Sequence, residues 1–73
     1  MLININGKYG ARVGNIQVFT MERAVEVFQM FVARCYENLT IESSCVLSAV
    51  SDDMHRLGFS WAEIEDMELE ALA

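Results

Sequence analysis

Ser51 and His55 stand one helical turn apart, the nearest thing in this chain to a nucleophile beside its base. With Ser44 and Ser48 they would line one strip of a helix spanning residues 41–57. A catalytic serine also needs an exposed, strained position and donors for an oxyanion. In mid-helix the neighbouring N–H groups are used by the helix itself. The strip therefore reads as a polar face, or as a run of small residues that would let another helix approach closely. A second candidate is the stretch GKYGARVG, with Gly7, Gly10 and Gly14 beside Lys8 and Arg12. Its spacing fits neither the dinucleotide fingerprint nor a Walker loop, and no helix follows directly, so the glycines read as turn residues. A metal site would need clustered ligands, but there is one histidine, and Cys35 and Cys45 lie at no ligand spacing. Carboxylates are plentiful. Acid–base work, however, needs a pocket that moves two of their pKa values apart, and three short helices leave little room for one. The expectation is a non-catalytic chain without cofactor or metal.

Charge is more informative. Residues 1–36 hold four cationic and two anionic side chains, while residues 37–73 hold nine anionic side chains and only Arg56 against them. Such an asymmetry repels nucleic acid and anionic membrane and attracts basic protein surfaces. The candidate contact residues are Asp52, Asp53, Glu63, Glu65, Asp66, Glu68 and Glu70. Trp61 lies beside them, either as an interface anchor or as a core residue at a helix start. The expected partner is another protein with a basic surface, with no direct nucleic acid and no membrane. An inhibitor or adaptor would suit these traits. In size and charge the chain is similar to phage-encoded anti-defence proteins, anti-CRISPRs among them. That likeness implies occupation of a basic groove that normally holds nucleic acid.

A dimeric regulator is the alternative. With Gly58 as the turn glycine, Leu57, Phe59, Ile64 and Met67 fall where a helix-turn-helix over about 43–71 wants apolar residues. Asp53 stands at an apolar position of that motif and Met54 at a small one. Its recognition surface would be Ser60, Trp61, Ala62, Glu65 and Asp66, with no Lys or Arg to neutralise phosphate. Lys8, Arg12, Arg23 and Arg34 are too few and scattered for a nucleic-acid footprint.

The elements that must position these residues are strands and then helices, the order of an α+β fold. Residues 1–20 hold Leu2, Ile3, Ile5, Val13, Ile16, Val18 and Phe19, divided by Asn6-Gly7 and Gly14-Asn15. They predict a small antiparallel meander (about 1–5, 8–13, 16–20) or one hairpin pairing 1–6 with 15–20. Three helices follow, at about 21–38, 41–57 and 61–71. The first, capped by Thr20, has an apolar stripe of Ala24, Val25, Phe28, Phe31, Val32, Cys35, Tyr36 and Leu39. Val27 falls at its edge and Met30 among the charges, as scattered surface residues or as part of a contact patch. The second, capped by Thr40, puts Val46, Leu47, Val50, Met54 and Leu57 on one face, with an Asp52–Arg56 pair on the outside. Gly58 and Phe59 predict a Schellman ending. In the third, Ser60 and Glu63 predict a capping box, Phe59 and Ile64 a staple, and Trp61, Ile64, Ala71 and Leu72 one face. Glu68 and Glu70 stand at the end of the helix where acid is unfavourable.

Seventy-three residues make one domain, and a chain this short buries only ~60% of its unfolded surface. Because 53% of its residues are apolar, some of them stay exposed unless another chain covers them, so a homo-oligomer, first of all a dimer, is expected. No apolar run reaches the ~18 residues of a membrane span. The opening Met1-Leu2-Ile3-Asn4 lacks the pattern of a signal peptide. A cytoplasmic location with reduced cysteines is the expectation. Asn38-Leu39-Thr40 then serves as a helix–helix turn and not as a glycosylation site.

Overall fold

The computed structural model describes residues 4–5 and 8–73, with the side chains of 10–73. It has the expected α+β architecture: antiparallel strand pairs followed by three helices. Strand β1 (Asn4–Ile5) pairs with β2 (Lys8–Tyr9), and β3 (Ala11–Val13) pairs with β4 (Ile16–Val18). Leu2, Ile3 and the Asn6-Gly7 turn lie outside the described residues. The successive pairings are those of the expected meander, divided into two separate sheets, while the pairing of β4 with β3 corrects the 1–6/15–20 hairpin. The expected strand 8–13 breaks at Gly10, whose φ of 116° no strand residue adopts. The second pair is a two-residue hairpin through Gly14-Asn15, with Gly14 at φ 64°, the sign that hairpin turns demand there. Its alternation is regular: Ala11, Val13 and Val18 are buried, while Arg12 and Gln17 pair on the open face.

Helix α1 (Met21–Glu37) is the centre of the fold, packing on the hairpin, on α2 (Ile41–Arg56) and on α3 (Trp61–Leu72). Its buried residues are Ala24, Val27, Phe28, Val32 and Cys35. Val27, expected at the surface, is 1% exposed, and Met30 is half-buried; Tyr36 and Leu39, expected in the stripe, are exposed. The correction has a spatial cause. Phe31 abuts the Gly14 turn, and Val27 lies one turn before it, on the hairpin side. Gln29 and Tyr36 reach α3 from another side. A helix held on several sides buries a different arc from that of a simple amphipathic one.

The remaining core comes from Val50 and Met54 of α2 and Ile64 of α3, with Leu47, Leu57, Phe59, Met67 and Ala71 half-buried around it. Val46, expected on this face, is exposed at its edge. All three helix starts are capped as expected. Thr20 accepts from the Arg23 N–H, Thr40 from the Ser43 N–H, and Ser60 from the Glu63 N–H, each at 3.1 Å. α2 ends in the expected Schellman motif: the Phe59 N–H donates to Met54 O at 3.3 Å and the Gly58 N–H to His55 O at 3.0 Å, with Gly58 at φ 112°. No helix among the described residues is long and apolar enough to cross a membrane.

Candidate interaction surface

The eight candidate contact residues do not all share one fate. Asp53 is half-buried, and its Oδ2 accepts the Gly14 N–H at 2.9 Å across 39 residues of chain. Its Oδ1 lies 3.7 Å from Arg56 Nη2, so Arg56 reaches Asp53 and not the expected Asp52. This explains why an acid stands where a helix-turn-helix would place an apolar residue: it closes the hairpin turn onto α2. Asp52, one residue earlier, is exposed.

Glu63 completes the capping box, accepting the Ser60 N–H at 3.0 Å. That bond, together with the Ser60 hydroxyl, holds its carboxyl below the usual glutamate value. Glu68 is half-buried and accepts the Tyr36 hydroxyl at 2.8 Å, tying α3 to α1. The bond and the carboxylate charge push the Tyr36 phenol up. Beside it, Gln29 Nε2 donates to Met67 O at 3.3 Å. Glu65, Asp66 and Glu70 remain exposed, and among the described residues no cation lies within ion-pair distance of them. They occupy the outward side of α3, a helix that contains no Lys or Arg.

Trp61 resolves as a surface residue, 53% exposed. Ile64, Met67 and Ala71 face inward, and Trp61 and Leu72 stand about 60–80° around the helix from Ile64 at 100° per residue, which corrects the single face expected of them. The indole is nevertheless held. It stacks on His55 with ring centroids 4.1 Å apart and planes 16° from parallel. His55 is fixed in turn, its Nδ1 lying 3.0 Å from the Phe59 carbonyl, a distance at which an Nδ1–H donates to it. Burial of a rotamer-fixed ring on binding loses less entropy than burial of a free one, by about 0.5–1.5 kcal/mol per ordered side chain. Leu69 at 60% and Leu72 at 45% exposure continue the apolar surface along α3. Leu69 escapes notice in the sequence because it falls among the charges; its only signal there is an apolar residue opposite Ile64.

His55 is thus committed to Phe59 and Trp61, and no hydrogen bond joins it to the half-buried Ser51. Cys35 is buried, Cys45 exposed, and both are free thiols. Among the described residues no three His, Cys, Asp or Glu side chains converge as metal ligands would. Comparison with protein-family models, curated proteins and solved structures finds no match.

Proposed function

We propose that this chain is a non-catalytic protein-interaction module that docks α3 on a basic surface of another protein. One observation carries the proposal: Glu65, Asp66 and Glu70 are exposed, with no cation among the described residues to compensate them, on the same helix as a half-exposed Trp61 stacked on His55. Exposed carboxylates steer a basic partner and set register, while a central aromatic supplies much of the binding energy. Glu70 adds a second argument. Near a helix C-terminus a carboxylate opposes the dipole, so folding alone does not favour it there, and a cation brought by a partner would relieve it. In its sharpest form the module is an inhibitor that fills a basic groove built for nucleic acid, as an anti-defence protein would.

The test is a tagged pull-down from source-cell and host lysates at low and high salt. It is run beside a variant carrying Glu65→Lys, Asp66→Lys and Glu70→Lys. The expected result is one basic protein, retained at low salt, lost at high salt and absent from the variant; added nucleic acid should compete for it. Retention of the same partner by the reversed variant would remove the acidic face from the proposal. A gel shift of duplex DNA at low salt would favour the dimeric-regulator alternative instead.

A further inference from the structure

Docking on a basic surface, the function proposed for this chain, leaves the form of that surface open, and on that reading α3 itself narrows it. Trp61, Glu65, Leu69 and Leu72 succeed one another at steps of four, four and three residues, the interval at which helical side chains form one stripe. All four are exposed. From Trp61 to Leu72 the stripe runs about 16 Å at 1.5 Å per residue. It is apolar at its ends and carboxylate between, with Asp66 along one flank. Imitating a nucleic acid needs charge alone, and exposed Leu69 and Leu72 add nothing to that.

We infer that this stripe is a seam for one amphipathic, basic helix of a partner protein. That helix presents apolar side chains to Trp61 and to the Leu69/Leu72 end, and a Lys or Arg between them to Glu65. Charge decides the occupant. A second copy would bring an α3 with five carboxylates and no cation, setting like charges across the seam. An anionic membrane would be repelled in the same way. One of the partner's cations would also lie against Asp66 on the flank, where no described residue supplies one.

Trp61 is the only tryptophan, so its emission reports occupancy of the seam directly. The full chain is titrated with a synthetic 18-residue Leu/Lys peptide whose leucines repeat at the helical period. A scrambled peptide of the same composition is the control. The expected result is a blue shift of Trp61 emission with the patterned peptide and binding about ten-fold weaker with the scramble. The double variant Leu69→Ser and Leu72→Ser is expected to lose about ten-fold in affinity while its melting temperature stays unchanged. Equal binding of both peptides overturns the seam but leaves the basic-partner reading standing. Full affinity in the serine variant also overturns it. No binding of either peptide at low salt overturns both. A blue shift that grows with protein concentration in the absence of peptide overturns the seam in favour of self-association.

Discussion

Asp53 and Asp66 are the same residue type on the same acidic half of the chain, and the molecule uses them in opposite ways. Around Asp53 the hairpin turn, α1 and α2 close on one another. Gly14 offers its N–H to the carboxylate, and its Cα sits so close to Phe31 and Val50 that a Cβ there would come within 2.9 Å of the Phe31 ring. Around Asp66 no described residue closes in: Glu65, Leu69 and Glu70 stand in solvent beside it. Where polar groups are matched and space is filled, a substitution is felt through stability. Where neither holds, a substitution is felt only by whatever binds. The contrast separates residues that hold the fold from residues left over for a partner, and it does so without reference to chemistry.

The largest expected effect is at the closed region. Gly14→Ala adds a Cβ at a φ of 64° and drives it into Phe31. Left-handed strain and overpacking together should destabilise by about 2–4 kcal/mol. For a domain of this size that lowers the melting temperature by roughly 10–25 °C in a calorimetric or circular-dichroism melt. A loss of only a few degrees would mean that the turn is less tightly docked than its geometry implies. Next comes the neighbouring pair. Asp53→Ala leaves the part-buried Gly14 N–H without its acceptor and should cost about 1–2 kcal/mol. Asp52→Ala, one residue away and exposed, should stay within about 0.5 kcal/mol. Equal effects at the two positions in denaturant titrations would break the comparison where it is sharpest.

How much of the fold and the surface is legible in the sequence depends on the range of the interactions. Thr20, Thr40 and the Ser60/Glu63 box, the Gly58–Phe59 ending and the Gly14-Asn15 turn are decided within three to five residues. All five are readable. What escapes is set from a distance. The Asp53–Gly14 bond spans 39 residues and the Tyr36–Glu68 bond spans 32, and neither leaves a local trace. The rotation of α1 toward Val27 depends on where the hairpin docks. The exposure of Trp61 depends on α1 choosing the Ile64 side of α3, which a helical wheel of α3 alone leaves open. Gly10 is visible as a glycine but not as a break, because strand formers flank it on both sides. At the candidate surface the sequence locates the acidic residues, but it does not sort the committed ones, Asp53, Glu63 and Glu68, from Glu65, Asp66 and Glu70.

A smaller effect tests that sorting at Glu63. Ser60→Ala removes the acceptor for the Glu63 N–H and should cost about 1 kcal/mol. The carboxyl supplies a pH signature of its own. Its native pKa is lowered, so the bound carboxylate favours the folded state at any pH above the unfolded glutamate value. That contribution fades as the pH falls from there through the lowered native value. Between neutral pH and pH 3 the melting temperature of the unaltered chain should therefore fall more than that of Glu63→Gln, which has no such proton to bind. Parallel curves would place Glu63 with the uncommitted acids.

The smallest expected change in stability is at the open region, and it carries the most weight for function. Neutralising Glu65, Asp66 and Glu70 together, as Gln, Asn and Gln, removes three charges that no described residue compensates. With no hydrogen bond or ion pair to a described residue to lose, the stability should stay within about 0.5 kcal/mol. Its sign should be favourable, because Glu70 no longer opposes the helix dipole and the acidic half repels itself less. The same triple change should weaken capture of a basic partner while leaving the melt intact. A loss of more than about 1 kcal/mol would show that these carboxylates hold the fold after all. The outward side of α3 would then be no different in kind from the Asp53 turn, and the case for reserving it for a partner would fall with it.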